Sequence, residues 1–134
     1  MIFWQQSCIE LRMKKEVLVI EDEPIIAEMM SILLEVEGYS VISAADTAFA
    51  TRKLHEKDVH LVMLDLRLKG EDGQTMCAYI KGHDDLKHIP VILVSANADL
   101  EQIKIDCGAD DHIAKPFDLN YFLDKVRNYT KVVA

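Results

Sequence analysis

The chain has 134 residues, of which 50% are hydrophobic and 28% are charged, and its formal net charge is -8. This length and composition predict one globular domain that can bury a core without disulfides or metal ions as cross-links. The acidic charge and the lack of any run of Lys or Arg argue against a nucleic acid partner, because a phosphate backbone requires a basic surface.

No part of the sequence has the length and apolar character of a signal peptide or a membrane span, so a cytoplasmic location without membrane association is expected. The spacing of Cys8, Cys77 and Cys107 fits no metal motif. Cys77 and Cys107 lie in apolar helical patterns and are predicted to be small core residues. The same is expected of four methionines, Met29, Met30, Met63 and Met76.

Residues 1–13 do not fit the pattern that follows them. They include Phe3 and the only tryptophan, Trp4, but no clear strand or long helix. Met13 followed by Lys14 resembles a second start, so the segment is either an extension that packs or docks on the protein or the product of an upstream start. The upstream start is the slightly favoured interpretation, and both interpretations stay open. Residues 14–134 form the expected single domain.

From Lys15 onward, short apolar segments alternate with segments of helical periodicity. Strands are predicted at residues 17–20, 39–44, 61–64, 91–94 and 111–114. Helices are predicted to begin at Pro24 and after Asp46, Gly73 and Asp118, with Asp46 and Asp118 as N-caps, and another helix is marked by Leu100, Ile103 and Cys107. The alternation predicts an α/β fold with a parallel sheet and helices on both faces, and right-handed crossovers make it doubly wound.

The first predicted helix and the segment before the third helix each show a further feature of this pattern. In the first helix, apolar residues recur at helical spacing, namely Ile25, Met29, Ile32, Leu33 and Val36, and Gly38 ends the run. Residues 66–73 contain two glycines and are predicted to form a polar loop.

The most apolar segment, residues 59–65, ends at a carboxylate, Asp65. Open α/β folds bind ligands in the crevice beyond the carboxyl ends of their strands. Other polar residues follow the other predicted strands: Glu21, Asp22, Ser95 and Lys115. We therefore expect all five side chains at one edge of the sheet.

Three carboxylates at one crevice repel one another unless a cation lies among them. Hard oxygen ligands suit Mg²⁺, and Mn²⁺ is a plausible substitute. Lys115 can hold an anion, and Ser95 can donate a hydrogen bond to it. The set predicts a site for a divalent cation and a phosphoryl group, with Asp65 as the nucleophile.

These motifs resemble the receiver domains of two-component response regulators. The resemblance covers residues 15–131 and rests on the order and spacing of five elements: Val17 to Pro24, Leu64-Asp65 with Gly73, Val94-Ser95-Ala96, Gly108 to Asp111, and Lys115-Pro116-Phe117. It implies a flavodoxin-like, five-stranded parallel sheet of order 2-1-3-4-5 and a stand-alone protein similar to chemotaxis regulators.

The resemblance also implies roles for the residues of the crevice. Asp65 would accept a phosphoryl group from a phosphohistidine on a sensor histidine kinase or a histidine phosphotransfer protein. Asp22 would bind Mg²⁺ directly and Glu21 mostly through water. Asp65 and the backbone carbonyl of Arg67 would complete the metal ligands.

The remaining implied roles concern the phosphoryl group and its signal. Lys115 would pair with the phosphoryl oxygens, and the Lys115-Pro116 peptide would be cis. Ser95 would move to bond the phosphoryl group. The signal would reach an unidentified protein target through a face built from residues 99–107, 110–114 and 118–130. The domain would be a signalling module with slow self-dephosphorylation and not an enzyme.

Two positions depart from the family pattern. Lys69 stands where a proline is common, four residues after Asp65, which predicts a looser loop and an altered phosphoryl lifetime. His112 stands where Tyr or Phe is usual as the ring that turns inward on activation. Because histidine titrates near neutral pH, we expect switching there to be weakened or pH-sensitive.

Several alternatives stay open. Glu21 and Asp22 could have no role beyond capping the following helix. Ser95 and Lys115 could be ordinary polar residues without a role in a site. The protein could be a pseudo-receiver scaffold that works without phosphorylation. An aspartyl phosphohydrolase is disfavoured because Arg67 stands where such enzymes usually carry a second acid. A flavodoxin-like cofactor binder is disfavoured by the lack of a phosphate loop rich in glycine and hydroxyl residues after the first strand.

Overall fold

The computed structural model describes residues 14–131. Seven strands lie in this range: β1 (Glu16–Ile20), β2 (Ser40–Ala44), β3 (Leu61–Asp65), β4 (Arg67–Leu68), β5 (Glu71–Asp72), β6 (Val91–Ser95) and β7 (Asp111–Ala114). Five of them form a parallel sheet in the order β2-β1-β3-β6-β7. Strands β4 and β5 pair only with each other. When the five strands of the main sheet are numbered without them, the order is the predicted 2-1-3-4-5. The α/β, flavodoxin-like fold is therefore confirmed.

Five helices connect the strands: α1 (Pro24–Val36), α2 (Thr47–Glu56), α3 (Gly73–Gly82), α4 (Leu100–Cys107) and α5 (Leu119–Thr130). The predicted N-caps are confirmed. Asp46 Oδ1 accepts a hydrogen bond from the Phe49 N–H at 2.8 Å, and Asp118 Oδ2 accepts one from the Tyr121 N–H at 3.1 Å. Each bond satisfies a main-chain donor that the first helical turn leaves without a partner.

The core consists of two layers, one on each face of the sheet. Every residue of β3 and β6 is buried, as expected of strands covered on both sides. Helices α1 and α5 cover one face, whereas α2, α3 and α4 cover the other. Cys77 and Cys107 are buried in the second layer, which confirms their prediction as core residues.

The apolar positions singled out in α1 are not its buried face. The residues that pack on the sheet are Ala27, Met30 and Leu34, whereas Ile25, Ile32 and Val36 are exposed. Met29 is exposed as well, so its prediction as a core residue was wrong. The helix is apolar on most of its circumference, and periodicity alone did not show which side meets the sheet.

Residues 66–73 are more ordered than the predicted polar loop. Arg67 and Leu68 pair with Asp72 and Glu71 in a short antiparallel hairpin, and Leu68 is buried. Gly70 occupies its turn with a positive φ of 70°, a conformation that glycine adopts without strain. The Glu71 carboxylate bonds the N–H and hydroxyl of Thr47 and so ties the hairpin to the start of α2.

None of the helices within residues 14–131 combines the length and the apolar character needed to cross a membrane.

Candidate functional site

The carboxyl ends of four parallel strands bring the predicted site residues together. Glu21 and Asp22 follow β1, Asp65 ends β3, Ser95 ends β6 and Lys115 follows β7. Four of them, all but Glu21, line a crevice of about 160 Å³. Glu21 is buried beside it and bonds Lys115. A crevice of this volume accommodates a phosphoryl group and an ion, whereas pockets for larger organic ligands occupy roughly 300–1,000 Å³.

Lys115 links two of the carboxylates. Its Nζ donates to Glu21 Oε1 at 2.9 Å and to Asp65 Oδ2 at 3.2 Å. Burial by itself would lower the pKa of Lys115, but the hydrogen bond to Glu21 and the negative charges of Asp65 and Glu21 outweigh it and raise that pKa above its ordinary value. Lys115 therefore carries its positive charge into the crevice at neutral pH.

One lysine does not neutralise the whole carboxylate cluster. Burial and the proximity of Asp65, opposed by Lys115, raise the pKa of Glu21 to about 7. Carboxylate oxygens of Glu21, Asp22 and Asp65 all lie within 4.8 Å of one another. This donor set, made of oxygen atoms with excess negative charge, fits a hard divalent cation such as Mg²⁺.

The two acids after β1 do not serve as helix caps. Glu23, and not either of them, occupies the N-cap position of α1, and its side chain makes no capping bond. Asp22 Oδ2 instead accepts a hydrogen bond from the main-chain N–H of Lys69 at 2.7 Å. Proline at position 69 would lack that N–H, so the departure noted in the sequence gives Asp22 a fixed partner.

Asp65 is held by the chain that follows it. Its Oδ1 accepts a hydrogen bond from the Arg67 N–H at 2.9 Å. Its other oxygen, Oδ2, accepts the hydrogen bond from Lys115 Nζ. Gly73 packs on this strand end, since a Cβ atom there would lie 2.5 Å from the Asp65 carbonyl oxygen. The sequence placed Gly73 at the end of a predicted polar loop, but the structure shows that this glycine allows two backbone segments to approach closely.

Ser95 and His112 lie at different distances from the crevice. Ser95 lines it and is buried, and its Oγ accepts a hydrogen bond from the Asn97 N–H at 3.2 Å. His112 pairs with Leu93 in the register of β6 and β7 and is absent from the crevice lining. Its Nδ1 is buried 3.4 Å from Glu101 Oε2, without a hydrogen-bond partner within residues 14–131.

The Lys115-Pro116 peptide is cis, as the resemblance implies. The contacts that sequence reasoning missed are the Lys69 N–H on Asp22, the packing of Gly73 on Asp65 and the carboxylate of Glu101 beside His112. A main-chain donor leaves no signal in residue types, and Glu101 becomes a neighbour of His112 only when α4 packs beside β7.

The model of the response regulator receiver domain family matches residues 17–127. This chain belongs to that family. This membership confirms the resemblance drawn from the motifs. The domain is therefore a two-component signalling module and not a classical enzyme. Residues 1–13 lie outside the match and outside the described residues.

A curated relative is the DNA-binding dual master transcriptional regulator RpaA of Synechocystis sp., 37% identical over 114 residues. The match covers 83% of this chain and 47% of RpaA, so this chain spans about half the length of that relative. Whether it acts alone, as the resemblance implies, stays a prediction.

Two solved receiver domains share the fold of this one. The signal receiver domain of a signal transduction histidine kinase from Syntrophus aciditrophicus is 31% identical, with a TM-score of 0.80 over 87% of this chain and 89% of that one. The receiver domain of a sensor histidine kinase from Pseudomonas aeruginosa is 25% identical, with a TM-score of 0.79 over 87% of this chain and 98% of that one. The second holds a magnesium ion in its active site cleft.

Proposed function

We propose that this receiver domain accepts a phosphoryl group on Asp65 from the phosphohistidine of a sensor histidine kinase or a histidine phosphotransfer protein. The observation that carries the proposal is the position of Lys115 Nζ, 3.2 Å from Asp65 Oδ2 and 2.9 Å from Glu21 Oε1, in a small crevice at the end of a buried strand. Family membership supports the same chemistry.

In the transfer, the P–N bond of the phosphohistidine breaks and a bond from Asp65 Oδ to phosphorus forms. The products are an acyl phosphate on Asp65 and a neutral histidine on the donor. Lys115 pairs with the phosphoryl oxygens and offsets the negative charge that reaches the crevice. The Ser95 hydroxyl lies in the same crevice and donates a hydrogen bond to one of those oxygens.

Glu21, Asp22, Asp65 and the backbone carbonyl of Arg67 would hold Mg²⁺, for which Mn²⁺ can substitute. When bound, the ion supplies positive charge that stabilises the transferring phosphoryl group. The Lys69 N–H keeps Asp22 oriented toward the crevice, and the Arg67 N–H does the same for Asp65.

The phosphoryl group acts as a switch in this proposal. Movement of Ser95 toward it and a change at His112 bias two arrangements of the face formed by α4, β7 and α5. A downstream protein binds one of these arrangements, or the phosphoryl group is relayed onward. Slow hydrolysis of the acyl phosphate returns the domain to its resting state.

The test is the intact mass of the protein after incubation with acetyl phosphate and Mg²⁺. The wild type should gain one phosphoryl group, and Asp65→Asn or added EDTA should abolish the gain. Asp85→Asn is the matched control, because Asp85 is exposed and far from the crevice lining. It should be phosphorylated like the wild type.

The outcomes separate the candidate functions. An adduct that persists in Asp65→Asn would contradict the assignment of the acceptor. No adduct in the wild type, together with no binding of beryllofluoride, would favour the scaffold that works without phosphorylation. Turnover of a phosphate monoester would favour the phosphohydrolase.

A further inference from the structure

The ends of two neighbouring helices bring two histidines and a tyrosine together at the surface. His55 lies in the last turn of α2, Tyr79 lies in α3, and His83 is the C-cap of α3. The ring centroids are 5.2 Å apart for His55 and His83, 5.6 Å for Tyr79 and His83, and 6.3 Å for His55 and Tyr79. His55 and Tyr79 are exposed and His83 is half-buried, so the cluster is open to solvent and to ions.

The polar atoms of this cluster are donors that transition-metal ions accept. Imidazole nitrogen is the commonest protein ligand for such ions. His55 Nε2 lies 2.9 Å from the Tyr79 hydroxyl oxygen. His83 Nδ1 lies 3.4 Å from the main-chain nitrogen of Asp85, which is longer than the usual hydrogen bond of about 2.7–3.2 Å. The His83 ring is therefore not held by a strong hydrogen bond and can offer a nitrogen to an ion.

The surrounding charge favours a cation. The carboxyl end of a helix carries a partial negative charge of about half a unit, and the cluster lies where α2 ends at Glu56 and α3 ends at Gly82. Arg52 and Lys53, the basic residues near His55, both pair with the Glu56 carboxylate, at 3.8 and 3.3 Å. The net charge of the whole chain is -8. A positive ion at the cluster thus meets no uncompensated lysine or arginine from α2.

We propose that His55, Tyr79 and His83 bind a divalent transition-metal ion of the Cu²⁺ or Ni²⁺ class. His55 Nε2, the Tyr79 oxygen and a ring nitrogen of His83 are the protein donors, and water completes the coordination. The ion takes the place of the proton between His55 and Tyr79, and that proton leaves to the solvent. The three residues are absent from the lining of the crevice of Asp65, so this site is separate from the phosphoryl site.

The spacing of the donors favours this class of ion. Ligand atoms bonded to one ion at about 2.0–2.2 Å lie roughly 3 Å apart when their bonds meet near a right angle, and farther apart in a tetrahedral site. The 2.9 Å between His55 Nε2 and the Tyr79 oxygen fits the right angle. Two imidazoles on one ion have centroids about 4.5–5.3 Å apart, and the observed separation is 5.2 Å. Tetragonal sites of nitrogen and oxygen donors are typical of Cu²⁺ and Ni²⁺, and Cu²⁺ binds most tightly among the first-row divalent ions.

Titration of the full chain with Cu²⁺ in an excess of Mg²⁺ tests the site. The wild type should bind one Cu²⁺ with a phenolate-to-copper absorption band, and Tyr79→Phe should abolish that band. His55→Ala and His83→Ala should each weaken binding by at least about tenfold, since even the loss of a partner that orients a ligand costs about 10–100-fold in metal affinity. His88→Ala is the matched control, because His88 is exposed and forms none of the three ring contacts. It should bind Cu²⁺ like the wild type.

Circular dichroism should show that all these variants are folded, because none of the substituted side chains is fully buried. Equal affinity of the wild type and the double variant His55→Ala/His83→Ala would overturn the proposal, as would an equal loss in His88→Ala. Loss of the copper signal in Asp65→Asn would assign the ion to the crevice instead. A copper-dependent dimer in sedimentation would assign it to a contact between two copies. No phosphoryl donor is used, so the result is independent of the proposed function.

Discussion

Gly73 shows how one residue without chemistry of its own controls the position of Asp65. Its Cα faces the backbone of Asp65 and Leu66, and a Cβ atom would lie 2.5 Å and 2.6 Å from atoms of those two residues. Gly73→Ala should force the strand end and the start of α3 apart. We expect a loss of about 1–3 kcal/mol in the free energy of unfolding, as for other overpacked sites, measured by urea denaturation.

Gly82 is the matched control for Gly73. It is the last residue of the same helix, and a Cβ atom there would meet nothing within 4 Å. Gly82→Ala should stabilise the protein by about 0.5–1 kcal/mol, because alanine loses less backbone freedom on folding. Equal losses in the two variants would contradict the packing explanation.

The side chain of Asp111 makes a pH-dependent contribution to the stability of the folded protein. Its carboxylate accepts hydrogen bonds from Lys125 Nζ at 2.8 and 2.9 Å and from the Tyr129 hydroxyl at 3.1 Å. Burial by itself would raise the pKa of Asp111, but the Lys125 bond, the His112 N–H and the Tyr129 bond outweigh it and lower that pKa. The carboxylate therefore stabilises the folded protein above its ordinary pKa of about 4, and this stabilisation is lost as the pH falls through the lower folded value.

Asp111→Asn should reduce the free energy of unfolding by about 1–3 kcal/mol at pH 7. The difference from the wild type should shrink as the pH falls from about 4 through the lower pKa of folded Asp111, because both side chains are neutral only below that value. Thermal unfolding across this pH range measures it. Asp124→Asn should have little effect at any pH, since Asp124 and its partner Arg127 are both largely exposed.

Helix α1 shows that apolar periodicity alone does not identify the buried side of a helix. The helix begins at Pro24 and precedes Gly38, as predicted, but its buried side is formed by Ala27, Met30 and Leu34. The small side chain of Ala27 allows the helix to approach the sheet, whereas the larger Ile25 and Ile32 remain outside. Where most of a helix is apolar, packing and not pattern decides which side is buried.

Adjacent methionines in α1 allow a direct comparison. Met30 is 2% exposed and belongs to the core layer on the face of the sheet that α1 and α5 cover, whereas Met29 is 43% exposed. Met30→Ala should cost about 2–5 kcal/mol of unfolding free energy, as expected for truncation in a packed core. Met29→Ala should cost less than half as much in the same denaturation experiment. Equal costs would contradict the orientation of the helix.

Across the whole molecule, an acidic protein gathers the carboxylates of Glu21, Asp22 and Asp65 at one edge of its sheet, with Glu21 buried beside the crevice. The net charge is -8, and Lys115 is the single lysine among the residues that line the crevice within the described part of the chain. Carboxylate oxygens of Glu21, Asp22 and Asp65 lie within 4.8 Å of one another, and repulsion among the ionised groups opposes folding. Burial and the proximity of Asp65 raise the pKa of Glu21. A bound cation would convert the same cluster into a stabilising feature.

The wild type should become more stable when Mg²⁺ is added, by about 2.7 kcal/mol at a concentration of 100 times the Kd. Asp22→Asn should be more stable than the wild type in EDTA, because one repelling charge is gone, and should respond weakly to Mg²⁺. The thermal midpoint of each protein with Mg²⁺ and with EDTA measures both effects. A full response to Mg²⁺ in Asp22→Asn would remove Asp22 from the metal ligands.

The strand order and the family followed from the resemblance that the motifs carry. The sequence itself predicted the buried strands and the gathering of five polar side chains at one edge of the sheet. It could do so because buried parallel strands read as apolar segments, and a residue that follows such a segment must lie at the carboxyl edge of the sheet. The tertiary structure alone decided which side of α1 is buried, that the Lys69 N–H holds Asp22, and that Gly73 lies against Asp65. These features depend on packing distances and main-chain atoms, which the order of residue types does not specify.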